Sequence, residues 1–214
     1  MSEKTGIIIY VLLLGAYVIG SIPTGVLLSR LLSRKDVRQF GSGNIGTANM
    51  TRMLGLPVGL VTLLLDAAKG YVAVLLPVWL HFAHAPALGL LAGMVAIVGH
   101  AFSCFLHFKG GKSVATTAGV LLAVAPKLLL IALGLFLLLL AVSSMVSVAS
   151  VVSLWGTTVI CATMGQPILV IFMILVSAFV TVRHHANIKR LLSHSERTIP
   201  YGLVATWQRR QHHA

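Results

Sequence analysis

Three short stretches of this 214-residue chain carry the residue types that bind anions. The first is Gly41-Ser42-Gly43-Asn44-Ile45-Gly46-Thr47-Ala48-Asn49, followed by Arg52. Small residues let backbone N–H groups converge on an anion, Ser, Asn and Thr add side-chain hydrogen bonds, and such nests hold phosphate best where a helix starts just beyond them. The competing reading is a flexible glycine turn. The second stretch, Lys109-Gly110-Gly111-Lys112, runs into Ser113 and Thr116, so two lysines flank paired glycines ahead of hydroxyls that open a helix. The nucleotide-binding spacing Gly-x4-Gly-Lys-Ser is not met, because position 106 is Leu, and carboxylates to hold a metal are scarce, which excludes a nucleotide triphosphatase. Two lysines anchoring helix ends to lipid headgroups is the alternative, although Gly-Gly is a poor choice for a mere anchor. The third stretch is Arg183-His184-His185-Ala186-Asn187-Ile188-Lys189-Arg190. At helical spacing His184, Asn187 and Ile188 share a face. A basic tail that only sets topology competes here, but arginines alone would satisfy that rule, so His184 with Asn187 stands out.

Other polar residues lie inside apolar sequence, where ionisable groups are expensive and are normally paired or functional. Asp66 and Lys69, three apart, read as a structural ion pair. Ser147 and Ser150 share a helical face and serve either packing or a substrate hydroxyl. His100 and Cys104 at i and i+4 have the spacing of a Cys–His nucleophile, but only the downstream lysines could depress that thiol's pKa, so the reading is rejected. No spacing among His100, His107, His184 and His185 supports zinc, and neither a metal nor a cofactor is expected. The two cysteines, Cys104 and Cys161, read as buried thiols outside any disulfide framework.

The elements that position these residues follow from composition. Hydrophobic residues make up 57% of the chain and charged ones 9%, against about 25% charged in an ordinary soluble domain. Disorder, collagen and repeat arrays are excluded, and a net charge of +12 on so apolar a chain reads as loops facing anionic lipid or substrate and not as nucleic-acid binding. Uncharged blocks predict spanning helices over 6–29, 57–80, 87–107, 113–126, 128–142, 146–164 and 167–182, with 113–126 short for a full crossing. All basic residues except Lys4, Lys69 and Lys127 lie between the first two spans, around Lys109–Lys112, or after the last span, including Arg209 and Arg210. Seven crossings put these three places on one side, which the positive-inside rule makes the cytoplasm, whereas six crossings would not. The expected fold is an all-α integral membrane protein, a seven-transmembrane-helix bundle with its N-terminus outside and C-terminus cytoplasmic. Residues 1–203 form one transmembrane domain and 204–214 a tail ending in His212 and His213.

Together these motifs resemble the bacterial acyl-phosphate:glycerol-3-phosphate acyltransferases over essentially residues 7–203. The likeness rests on Gly20-Ser21-Ile22-Pro23-Thr24-Gly25, the Gly41–Asn49 loop, Asp66-Ala67-Ala68-Lys69-Gly70, Gly99–Thr116 and Arg183–Glu196. It implies transfer of a fatty acyl group from acyl phosphate to the 1-hydroxyl of sn-glycerol 3-phosphate, giving lysophosphatidic acid and inorganic phosphate at the cytoplasmic face of the inner membrane. By position it assigns Ser42, Lys112, His184 and Asn187 to catalysis. Gly43, Asn44, Gly46, Asn49, Arg52, Lys109, Gly110, Gly111 and Arg183 fall to substrate binding, with Ser150 or its rival Ser147 as the hydroxyl contact. Four positions depart from the family pattern: Ile45, Thr47 and Ala48 stand where Pro, Ala and Thr are usual, and His194 stands where glycine is frequent. Because acyl phosphate is a mixed anhydride with a good leaving group, direct attack in a ternary complex needs positioning and charge stabilisation and not a strong nucleophile. The proton of the attacking hydroxyl goes to the leaving phosphate or to His184. The rival from another class is an organophosphate transporter, which would place more polar groups near the midplane. A thioester-dependent acyltransferase is disfavoured because its His-x4-Asp pattern is missing: Phe105 follows His100 at that spacing.

Overall fold

Backbone groups that face lipid must find their hydrogen bonds within the chain, and helices satisfy them segment by segment. The computed structural model describes residues 3–82, 84–200 and 202–203, and among them the chain is helical with no strand. The helices are α1 (Glu3–Ser21), α2 (Thr24–Ser33), α3 (Thr47–Leu54), α4 (Leu56–Trp79), α5 (Ala85–Ala101), α6 (Val114–Val124), α7 (Pro126–Ser143), α8 (Val146–Ala162), α9 (Pro167–Arg183) and α10 (His185–Leu192). They divide into two compact units, residues 1–125 and 126–214. The expected tail, with Arg209, Arg210, His212 and His213, lies outside the described residues.

In the first unit α5 packs on α1 and α4, and α6 packs on α4. Small residues allow this close approach: Ala16 of α1, Ala73 of α4 and Ala92 and Ala96 of α5 are all fully buried. At the α4–α6 crossing a methyl on Gly70 would run into the Thr116 carbonyl, and one on Gly119 into that of Ala67. Backbone contact of this kind replaces the hydrophobic drive that helices lack in lipid. A second apolar cluster, Val26, Val37, Ile45, Met50 and Leu106, supports the loops after α2 and α5. In the second unit α8 packs between α7 and α9, with the Thr158 and Ser177 hydroxyls 2.9 Å apart across α8–α9. Lipid is the solvent for much of the rest: Leu130 and Leu138 of α7 are 68% and 61% exposed.

All seven expected apolar segments are helical, with three differences. The first, expected as one helix over 6–29, breaks at Ile22-Pro23, where proline removes a donor and disfavours helical geometry in the residue before it. The Ile22 carbonyl at this break accepts from the Thr24 N–H at 3.0 Å and from the Lys69 ammonium at 2.9 Å. The third, expected to run to 107, ends at Ala101; a 3-10 turn over Cys104–Leu106 follows, then His107 and Phe108 in the left-handed region (φ 52° and 60°). Cys104 is accordingly exposed and not buried as expected, whereas Cys161 is buried. The fourth, α6, has 11 residues and rises about 16 Å, well short of a core of about 30 Å. Among the described residues four stretches are individually long and apolar enough to cross a membrane: 5–33, α4, 85–106 and α7. The pair α9–α10, bent by 60°, would make a fifth, and α6 and α8 are shorter apolar helices.

Candidate functional site

The first glycine loop is folded around Asn49, which is 2% exposed. Its side-chain amide donates to the carbonyls of Val37, Phe40 and Asn44 at 3.1, 3.0 and 2.9 Å, and its Oδ1 accepts from the Ser42 N–H at 2.9 Å. The Gly43 N–H donates to Phe40 O at 2.8 Å, and the Gly46 N–H to Asn44 Oδ1 at 2.9 Å. Asn49, expected among the substrate contacts, is a buried clasp for the loop. The amides of Ser42, Gly43 and Gly46 close the loop on itself instead of pointing at an anion, and Gly43 takes φ +70° to make the turn. What the loop offers outward is the first turn of α3, which starts at Thr47 with Gly46 as its cap, and Arg52 in that helix's last turn. Arg52, Lys35, Phe40 and Leu54 line a recess of about 310 Å³, with the Lys35 ammonium 5.6 Å from the Phe40 ring centroid. Nearby, Asp36 accepts from Arg38 and Arg30 at 2.7 and 2.8 Å. The Arg38 hydrogen bond, with the help of Arg30, holds its carboxyl far below the usual range despite partial burial.

The second loop lies against the end of α5. The Gly110 N–H donates to Ala101 O and the Gly111 N–H to His100 O, both at 3.0 Å. A methyl on Gly110 would meet the His100 carbonyl, and one on Gly111 the His100 ring at Nε2. The paired glycines thus permit close approach, with their own amides engaged, and are not an open amide nest. Lys109 is exposed and Lys112 half-buried. Ser113 follows in the left-handed region (φ 62°) with its hydroxyl donated to Ile97 O at 2.7 Å. Ile45 of the first loop and Leu106 of the second belong to one apolar cluster, so the same core supports both loops.

The expected Asp66–Lys69 ion pair is present at 2.7 Å and is part of a larger buried network. Lys69 Nζ also lies 3.0 Å from His100 Nδ1, and the Thr24 hydroxyl donates to Asp66 Oδ1. His100, weighed in sequence as a partner for Cys104 and as a zinc ligand and rejected as both, faces Lys69.

In the second unit the third stretch is split. α9 ends at Arg183, His184 sits at the bend, and α10 begins at His185, so His184 and Asn187 are joined by a turn (Asn187 N–H to His184 O, 2.8 Å). The expected common helical face of His184, Asn187 and Ile188 is therefore replaced by a junction. His184 is 3% exposed, and its Nδ1 lies 2.8 Å from the Val180 carbonyl. A carbonyl only accepts, so Nδ1 carries the proton, and in the neutral ring Nε2 holds the lone pair. Glu196, which sequence reasoning placed in a motif without a role, organises this region. It accepts from Asn187 Nδ2 at 2.6 Å, Ser147 Oγ at 2.7 Å and Arg190 Nε at 2.8 Å. Burial alone would raise its carboxyl, but these three donors outweigh it and leave the group below its ordinary value. Ser150, the other hydroxyl candidate, donates to Val146 O within its own helix. α10 ends in a Schellman turn: His194 N–H to Leu191 O, Ser195 N–H to Arg190 O, and His194 at φ +54°. That backbone explains why glycine suits position 194. Scarcity was the signal for Glu196: the chain has four acids, and Asp36, Asp66 and Glu196 each hold an ion pair.

Residues 10–194 match the family described as glycerol-3-phosphate acyltransferase. The chain is 45% identical over 188 residues to the glycerol-3-phosphate acyltransferase of Listeria welshimeri, covering 87% of this chain and 94% of that one. Against glycerol-3-phosphate acyltransferase 2 of Lactobacillus johnsonii it is 41% identical over 212 residues, covering 99% and 95%. Its fold resembles crystal structures of PlsY, an integral membrane glycerol 3-phosphate acyltransferase. The glycerol 3-phosphate form gives a TM-score of 0.83 at 32% identity, covering 89% of this chain and 95% of PlsY. The lysophosphatidic acid form gives 0.79 at 31% with the same coverage.

Proposed function

The chain belongs to the glycerol-3-phosphate acyltransferase family and is an acyltransferase of the membrane, and from that premise we propose that it moves a fatty acyl group from acyl phosphate to the 1-hydroxyl of sn-glycerol 3-phosphate. The observation that carries the reading is the pair of basic segments, the first loop with Arg52 in the helix after it and the second loop with Lys112, held on a single apolar core in the first unit. Two phosphorylated substrates need two cationic grips, and PlsY has been solved with the acceptor and with the acylated product of such a transfer. The transport alternative yields to a family named for transfer.

The acceptor's 1-hydroxyl oxygen attacks the acyl carbonyl carbon, the bond from that carbon to the phosphate oxygen breaks, and inorganic phosphate leaves. The hydroxyl proton passes to the departing phosphate. Arg52 grips one phosphate in the forked geometry that guanidinium favours, and Lys112 holds a phosphate as a point charge. Lys109 adds to the positive field, Ser42 and Asn44 present side chains from the first loop, and Gly43 and Gly46 shape it. Gly110 and Gly111 act by letting the second loop approach α5. The same reaction uses Arg183, His184, Asn187 and Ser147 or Ser150 of the second unit. The lone pair on His184 Nε2 makes it a hydrogen-bond acceptor for the substrate hydroxyl and the rival base. His184→Gln then raises KM and spares kcat if phosphate is the base, and lowers kcat if His184 is.

We place the protein in the bacterial inner membrane with seven crossings, N-terminus outside, C-terminus inside and the basic segments facing the cytoplasm. Residues 1–203 act as one catalytic domain, and no cofactor or metal enters the scheme. The deciding experiment supplies purified protein in detergent with acyl phosphate, acyl-CoA or acyl carrier protein, each with glycerol 3-phosphate. Lysophosphatidic acid from acyl phosphate alone is expected; equal product from a thioester refutes the donor. Phosphate released in a burst without acceptor, with acyl retained on the protein, refutes direct transfer.

A further inference from the structure

The reaction scheme gives no task to a cluster of deeply buried ionisable side chains among the described residues. Asp66, Lys69 and His100 are 1%, 6% and 3% exposed, and Thr24 beside them is 7% exposed. Charges in such a place are expensive, and an isolated ion pair is replaceable by apolar side chains at little loss. The geometry here is more specific than an ion pair. Lys69 Nζ has three partners, Asp66 Oδ1 at 2.7 Å, Ile22 O at 2.9 Å and His100 Nδ1 at 3.0 Å. An ammonium has three protons and no lone pair, so each proton meets one acceptor, and His100 Nδ1 must be the lone-pair nitrogen. The ring is thereby held in its neutral Nε2–H tautomer. Its Nε2 edge lies where a side chain on Gly111 would stand. Around that ring, Gly110, Gly111 and Ser113 are fastened to the carbonyls of Ala101, His100 and Ile97, in that order, and Lys112 is the one residue between the last two.

Resting on the reading of Lys112 as a phosphate grip, we infer that Asp66, Lys69 and His100 are positioning residues for Lys112. Asp66 orients the Lys69 ammonium, Lys69 fixes the His100 ring and its tautomer, and the ring with its own carbonyl sets the path of the Gly110–Lys112 turn. Thr24 and the Ile22 carbonyl tie the same ammonium and carboxylate to the break between α1 and α2, so the turn is referenced to α1, α4 and α5 at once.

A kinetic double-mutant cycle tests this, with acyl phosphate and glycerol 3-phosphate varied in turn for K69M, K112A and K69M/K112A. Lys112→Ala should raise the KM of one phosphorylated substrate, and Lys69→Met should raise that same KM by about tenfold with kcat within about threefold. The double variant should then be no worse than K112A within about a factor of two, because Lys69 acts through Lys112. Penalties that multiply, or an unchanged KM in K69M, overturn the inference and leave the functional reading intact. A silent K112A removes the functional reading of Lys112 and the inference with it. If K69M does not fold because Asp66 is left unpaired, the neutral pair D66N/K69M is measured in its place. Failure of that pair to fold also overturns the proposal, since the cluster would then serve folding alone.

Discussion

Asn49→Asp exchanges one NH2 for an oxygen and leaves the volume almost unchanged, yet it reverses the sign of the contacts that close the first loop. In the native loop two amide protons are shared among the carbonyls of Val37, Phe40 and Asn44 at 2.9–3.1 Å. The aspartate offers oxygen to all three, and a buried acceptor that loses its donor costs about 1–3 kcal/mol. Two lost protons give about 4 kcal/mol, of which the stronger bond from the Ser42 N–H returns about 1 kcal/mol. The net loss of about 3 kcal/mol corresponds to a fall in Tm of roughly 6–12 °C for a chain of this size. Asn49→Ala forfeits the same bonds without adding a charge, so N49D should be at least as damaging as N49A despite the better fit. Acid pH, where the introduced carboxyl takes a proton and regains one donor, should restore part of the loss. Thermal unfolding in detergent measures the loss, and limited proteolysis within 41–46 localises it. Wild-type Tm and protease resistance in N49D, together with a raised substrate KM, would refute the clasp and make Asn49 a substrate contact.

Three further perturbations test other parts of the structure. His194→Gly removes a left-handed strain of about 1–2 kcal/mol against the extra freedom glycine gives the unfolded chain, so Tm should rise by about 2–4 °C; an unchanged or lower Tm contradicts the turn. Because the folded Glu196 carboxyl titrates below its ordinary value, its stabilisation is complete above the ordinary carboxylate pKa of about 4.3 and is lost as pH falls through the folded value. The Tm gap between wild type and E196Q should therefore stay constant from neutral pH to about 5 and close below about 4; a gap that widens in acid contradicts the assignment. Gly119→Ala forces α4 and α6 apart at the Ala67 carbonyl and should cost about 2 kcal/mol or more, whereas Gly134→Ala in α7, where a methyl meets nothing within 4 Å, should be neutral or stabilising; equal effects would refute the close crossing.

The apolar solvent and the helical segments were legible in the linear chain. Long uncharged blocks can only be helices in lipid, so the helix ends near 56, 126, 143, 146 and 167 followed from Pro, Gly and Ser punctuation. The Asp66–Lys69 pair followed from helical periodicity, and the family from the resemblance its motifs carry. What sequence could not supply was the direction of each hydrogen bond. A glycine-rich loop reads as an anion nest because its amides are available in principle, and only the folded chain decides that the Gly43, Gly110 and Gly111 amides close on neighbouring carbonyls. Asn49 and Glu196 have the residue types of substrate contacts or surface polars, and their partners come from positions up to 12 and 49 residues away. His100 lies 31 residues from Lys69, a separation at which periodicity carries no information. Composition and period set which segments are buried and basic, because those depend on solvent and on neighbours along the helix. Partner choice depends on distances across α1, α4 and α5, and packing alone sets those.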